Sequence, residues 1–114
     1  MSKVRAVQAG DLIKINFDPL AGHEQAGWGP ALVVSESSYN GRSDLALICP
    51  ITSQVKGYPF EVKIPQGCAF QGVVLADQLK SADLKAHKAK RVGVAPREVL
   101  ETIRTYIALL IGRK

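Results

Sequence analysis

The chain has 114 residues, 46% of them apolar and 22% charged, enough for one compact core and too few for two, so a single domain over residues 1–114 is expected. No apolar run approaches the roughly 18–20 residues of a membrane-spanning helix, and the opening MSKVRAVQAGD lacks the apolar stretch of a secretory leader, so no membrane association and a cytoplasmic location are expected. The net charge of +5 is unevenly placed: residues 1–79 carry six Lys/Arg against seven Asp/Glu, residues 80–114 nine against three. A basic end suits a polyanionic partner, nucleic acid or an acidic protein segment, and equally a solvated lysine-rich face.

The first predicted element is DLIKINFD (11–18), whose alternation puts Ile13, Ile15 and Phe17 on one buried face. HEQAGWGP (23–30) follows, rich in glycine, and places the chain's one tryptophan, Trp28, in a loop between Gly27 and Gly29. ALVVS (31–35) and LALICPI (45–51) are short apolar runs bounded by turn residues, as strands covered on both faces would be. Between them SSYNGRSD contains Asn40-Gly41, the dipeptide of a type I′ hairpin turn, which needs φ > 0 at both central residues; Asn40 is expected as a turn former.

FEVKI (60–64) alternates again, and GVVLADQLK (72–80) reads as one further strand with Asp77 on the face of Leu75 and Leu79 and Gln78 opposite. SADLKAHKAKRVGVA (81–95) fits either a short helical turn or a basic extended strand. A single helix closes the chain. Pro96 suits its first position, Glu98 and Glu101 its early turns and Gly112 its end, while Leu100, Ile103, Ile107, Leu110 and Ile111 form one core-packing stripe. About five short strands with turns every ten residues or so, too few for a sandwich, predict a mainly β fold: a small, partly open barrel with a C-terminal α-helix. Cys49 and Cys68 lie far apart with no metal-ligand spacing around them; both read as small core residues in a reducing compartment, and no metal site is expected.

Three blocks, GDLIKINFDPLAGHEQAGWGPALVVS, CPITSQVKGYPFEV and GVVLADQLKS, together resemble the MazF/PemK group of toxin–antitoxin ribonucleases, and the resemblance runs from Gly10 to Ile111. It implies an SH3-like barrel, a symmetric homodimer, and sequence-specific cleavage of single-stranded RNA without metal or other cofactor. It also implies a cognate antitoxin whose acidic, poorly ordered C-terminal part covers the RNA groove.

Such cleavage uses the neighbouring 2′-hydroxyl as nucleophile, so the enzyme must move protons and stabilise a phosphorane carrying extra negative charge. Thr52 matches the family's catalytic threonine. With Ser53 it suits a fixed hydroxyl donor at the barrel rim, although a strand-end Thr-Ser also serves for a local turn hydrogen bond. Glu24 and Gln25 match the family's Glu-Gln pair: Glu24 can accept a proton or hold a base edge, and Gln25 can pair with a base through its amide. His23 stands beside them as a further RNA-contact candidate. The resemblance places Gln54, Asp77 and Gln78 at base or phosphate, and Lys56 and Lys80 at phosphate, against a plain surface role for each. Trp28 can stack on an unpaired base, or form a lid or a subunit contact.

One departure falls at the centre of this chemistry. The family's loop reads Glu-Gln-x-Gly-x-Arg-Pro, and here EQAGWGP puts Gly29 where the catalytic arginine belongs. Glycine supplies neither the five donors nor the permanent charge of arginine, and it adds backbone freedom to a loop. An attenuated endoribonuclease is therefore expected. The alternatives are a non-cleaving member that still binds RNA or antitoxin, and a gyrase-directed toxin on the same barrel; the EQ loop and the TSQ block speak against the latter.

Overall fold

The computed structural model describes residues 7–17 and 27–113. In chain order the elements are β1 (Asp11–Asn16), β2 (Trp28–Val33), α1 (Ser37–Ser43), β3 (Leu45–Thr52), β4 (Glu61–Lys63), β5 (Val73–Leu75), a 3₁₀ turn (Ala76–Gln78), β6 (Lys80–Asp83), β7 (Lys90–Val94) and α2 (Arg97–Leu110). The strands form one curled antiparallel sheet in the order β4-β5-β3-β2-β1-β7, with β6 added beside β3. The result is a partly open barrel closed at one side by the C-terminal helix.

β3 organises this arrangement. One edge pairs with β2 (Leu32 opposite Cys49), while the other pairs first with β6 (Ala46 opposite Ala82) and then with β5 (Ile51 opposite Val74). Side chains alternate along each strand, so both faces of the sheet carry an apolar set. Ile13, Ile15, Ala31, Val33, Ala46, Ile48 and Ala82 fill one side. Leu12, Leu32, Cys49, Ile51, Val62, Ile64 and Val74 fill the other, against Val99 and Ile103 of α2. Ile13 and Ile15 are buried as their alternation requires, and Phe17 packs against the same cluster. Leu12, expected on the open side, is also wholly buried, because α2 covers that face.

Three local expectations are corrected, and a fourth, left open between two readings, is resolved. Asn40-Gly41 does not turn a hairpin: it lies within α1, and the loop connects β2 to β3 through that helix. Asn40 is 3% exposed, its amide donating to the carbonyls of Val7 (2.8 Å) and Ser35 (3.0 Å) and accepting from Ser35 Oγ (2.5 Å). A side chain with three bonds to make inside the fold outweighs a local turn preference. The stretch 72–80 is not one strand, since the 3₁₀ turn at Ala76–Gln78 interrupts it where the chain passes from β5 to β6 along the edge of β3. Asp77 and Gln78 are therefore neighbours on an exposed turn rather than on opposite faces of a sheet. Residues 81–95 combine both readings: strand, turn, strand. Seven strands stand where about five were expected, the added ones being four residues (β6) and five (β7) long.

α2 begins at Arg97, with Pro96 one place earlier than expected as its cap; the Pro96 carbonyl accepts from the N–H of Val99 at 3.0 Å. Its apolar stripe is buried only at Val99, Leu100 and Ile103. Tyr106 and Ile107 are half-buried, and Leu109, Leu110 and Ile111 run past the sheet into the open. No helix among the described residues is long and apolar enough to cross a membrane.

Candidate active site

Trp28 and Gly29 do not sit in a loop. They open β2, with Trp28 opposite Asn16 and Gly29 opposite Ile15 of β1. The roots of the intervening segment are joined at this point, the Phe17 N–H donating to the Gly27 carbonyl at 2.6 Å. Trp28 is half-buried, so the sheet holds part of its ring. The freedom that glycine adds to a loop therefore has no place at Gly29, whose backbone is paired.

Register then decides what Gly29 stands near. Ala31 pairs with Pro50, and extending that antiparallel pairing by two residues brings Gly29 level with Thr52, the last residue of β3, on the same face. Phe17, two residues beyond Ile15, belongs to that face too. Its ring edge lies 3.2 Å from where a Cβ on Gly29 would stand. Above the ring, the Lys80 ammonium is 5.1 Å from the ring centroid, a cation–π distance. Lys80 itself is carried there by its pairing with Ile48.

Thr52 lines a cavity of about 180 Å³ together with Gln54, Lys56, Tyr58, Glu61, Leu75, Asp77 and Gln78. Three elements build it: the end of β3, the 54–61 excursion, and the 3₁₀ turn. The Gln54 N–H donates to Thr52 Oγ1 at 3.1 Å. This is the local turn bond expected of a strand-end threonine, and it leaves the hydroxyl hydrogen of Thr52 available as a donor. Behind the strand end, Gly72 (φ +121°) crosses so closely that a Cβ there would lie 2.1 Å from the Thr52 carbonyl oxygen. Backbone contact fixes Thr52 from behind and a hydrogen bond fixes it in front.

The excursion is exposed from Ser53 to Pro59 yet closely tied. Glu61 accepts from the N–H of Gly57 (2.9 Å) and of Lys56 (3.1 Å), and its own N–H donates to the Tyr58 carbonyl (3.1 Å). The Ala76 N–H donates to the Phe60 carbonyl at 3.1 Å, joining the excursion to the 3₁₀ turn. Beneath the site, burial, with the negative charge of Asp77 as a second cause, pushes the Cys49 thiol up to about 12. Cys49 is a core residue; Cys68 is half-buried against the same core.

Of the residues expected at the site, Thr52, Gln54, Lys56, Asp77 and Gln78 line one cavity. Gly29 stands level with Thr52, Lys80 is over Phe17, Ser53 is exposed beside the cavity, and Trp28 lies on the opposite side of β2 from the Gly29 position. His23, Glu24 and Gln25 lie outside the described residues. Three neighbours were missed. Tyr58 and Glu61 had a signal in KGYPFEV, an aromatic beside proline in a turn and a carboxylate three residues on; Phe17 read only as a core residue. Among the described residues no group of three or more His, Cys, Asp or Glu could hold a metal ion.

Known proteins share this chain's sequence and fold. The endoribonuclease toxin MazF of Escherichia coli (strain K12) is 47% identical over 103 residues, 90% of this chain and 92% of that protein. The endoribonuclease toxin ChpB of the same organism is 38% identical over 107 residues, 89% and 90% of the two chains. A MazE–MazF crystal structure from Deinococcus radiodurans superposes with a TM-score of 0.85 at 39% identity, covering 96% of this chain and 98% of that one. The family described as PemK-like, MazF-like toxin of type II toxin–antitoxin systems matches residues 8–111, and the chain belongs to that family.

Proposed function

We propose that this chain is a toxin built to cut single-stranded RNA at a short sequence by attack of the 2′-hydroxyl on the adjacent phosphate, attenuated by glycine at position 29. The observation that carries the reading is the gathering of Thr52, Gln54, Lys56, Asp77 and Gln78 around one cavity, with Gly29 level with Thr52 when the β2–β3 register is continued past Ala31 and Pro50. Thr52 Oγ, fixed by the Gln54 N–H, donates its hydrogen to a phosphoryl oxygen as charge develops. Glu24 takes the 2′-hydroxyl proton, the new bond from the 2′-oxygen to phosphorus replaces the P–O5′ bond, and the leaving 5′-oxygen takes up a proton from water or from the protonated Glu24, leaving a 2′,3′-cyclic phosphate and a 5′-hydroxyl. Asp77, Gln78 and Gln54 contact bases, Lys56 and Lys80 neutralise phosphate, and His23, Gln25, Ser53 and Trp28 extend the RNA surface.

At position 29 the charge is missing. Loss of one preorganised transition-state donor costs about 10²–10³ in rate, and loss of a charged one costs at least as much. The relatives solved as MazE–MazF complexes support an antitoxin as second partner, whose acidic segment would cover the same groove. A homodimer is inferred with it, and the exposed Leu109, Leu110 and Ile111 offer an apolar surface for one. The second reading, a member that binds RNA or antitoxin without cutting, is favoured by one observation alone, Gly29.

A direct comparison of the chain with its Gly29→Arg variant on a long single-stranded RNA separates these, with new 5′ ends mapped by primer extension. The Phe17 ring must give by a few tenths of an ångström to admit the new side chain, which the end of a side chain can do. The expected result is ends at one short motif, produced at least 100-fold faster by the variant. Equal cutting by both would overturn the attenuation; no cutting by either would move the binding reading to first place.

A further inference from the structure

Tyr58 and Glu61 belong to two cavities at once. On one side lies the Thr52 cavity. On the other lies a larger one, about 470 Å³, lined also by Val55, Lys63, Gln66 and Gln71. The two residues are thus shared by neighbouring hollows, and Tyr58 is 60% exposed. A single exposed aromatic is ordinary on a protein surface; what sets this one apart is its place between two hollows.

Glu61 sharpens the point. A carboxylate on a surface that receives a polyanion repels it, so its presence there has to be explained by something else it does. Here it accepts the N–H groups of Lys56 and Gly57, which fixes the residues on either side of the bend just before Tyr58. Gly57, at φ +83°, makes that bend possible. The ring is consequently offered on a braced turn, with little freedom left to lose on binding.

We infer that Tyr58 is a stacking wedge between two successive unpaired bases of the bound RNA, one in each cavity, and that Glu61 is the positioning residue that holds it upright. This rests on the proposed reading of the site and deepens it. The cavity beyond Tyr58 then takes a base outside the reacting dinucleotide, with the amides of Gln66 and Gln71 available to its edge.

The test measures binding of a fluorescent single-stranded RNA to the full chain and to Tyr58→Ala, Tyr58→Phe and Glu61→Ala, with thermal midpoints and amide exchange at Lys56 and Gly57 recorded alongside. Tyr58→Ala is expected to weaken binding roughly tenfold, within the range for stacking aromatics, while Tyr58→Phe stays within about twofold because the ring and not the hydroxyl does the stacking. Glu61→Ala should speed exchange at both amides and weaken binding about fivefold or more at a near-unchanged midpoint, since the contact freed is local. Unchanged binding in Tyr58→Ala overturns the wedge, as does a Tyr58→Phe variant as weak as the alanine. Faster exchange in Glu61→Ala with unchanged affinity overturns the positioning role. Failure of the unsubstituted chain and of Gly29→Arg to bind RNA at all defeats the reading of the site itself, and the wedge with it, before any substitution at 58 or 61 is compared.

Discussion

Cys49 shows how a single buried group feels the site above it. Its thiol is held up to about 12 by burial first and by the charge of Asp77 second. In the native chain it keeps its proton where the unfolded chain has lost it, so stability is intact below about pH 9 and falls as pH rises from there towards about 12. Urea unfolding at a series of pH values between 8 and 11 should show this fall, and Cys49→Ala should flatten it; an equal slope in both would assign the fall to other groups. Asn40 makes the opposite point about single residues. Beside glycine it carries a strong local turn preference, and its bonds to Ser35 and to the carbonyl of Val7, 33 positions earlier, outweigh that preference inside a helix. Nothing within a few residues of Asn40 could have announced the partner at Val7. Thr52, by contrast, was legible as a strand-end hydroxyl because proline and an apolar run precede it.

At the scale of elements, what reads plainly from the chain is what alternation and apolar runs dictate: β1, β2, β3, β4 and the closing helix. What fails to read is any place where one segment's shape depends on another. The 72–80 stretch is apolar and extended enough for a strand, but it meets the edge of β3 in two separate pairings, as β5 and as the start of β6, and the chain steps from one to the other by a 3₁₀ turn. That step places Asp77 and Gln78 beside Thr52, so a feature invisible to periodicity assembles the cavity. Trp28 and Gly29 read as loop residues for a related reason: glycine is depleted in strands, and the glycines on either side of Trp28 mask its own strand preference, so only pairing with β1 brings the segment into the sheet. The contact of Gly72 with the Thr52 carbonyl turns this into a test. Gly72→Ala puts a Cβ at 2.1 Å from that oxygen, at a φ of +121° that alanine adopts poorly. A loss of about 2–4 kcal/mol is expected, as for strained backbone with steric overlap. It should lower the urea midpoint and, because Thr52 must shift, reduce RNA cutting in the Gly29→Arg background by more than stability explains. A variant as stable as the parent would show the crossing to be looser than described.

For the whole molecule, the basic charge and the candidate site separate along the chain. The basic excess lies in residues 80–114, whereas the cavity at Thr52 draws on the more neutral first part of the chain. The same C-terminal region ends in three exposed apolar side chains, with Ile111 71% exposed. If they meet a second copy, Ile111→Lys should shift the light-scattering mass in solution from twice the chain mass to one, with the circular dichroism unchanged. A parent chain that is already monomeric would refute the dimer. The hydrogen bond from Phe17 to Gly27 has a different kind of consequence, one for engineering. It ties residue 17, just past β1, directly to residue 27, just before β2, so the two strands are joined at this point across whatever the chain carries between them. Doubling the length of such an insert costs only about 0.6 kcal/mol in closure entropy. A lengthened insert between residues 17 and 27 should therefore leave the urea midpoint nearly unchanged, which makes this point a natural place to splice new sequence into the fold.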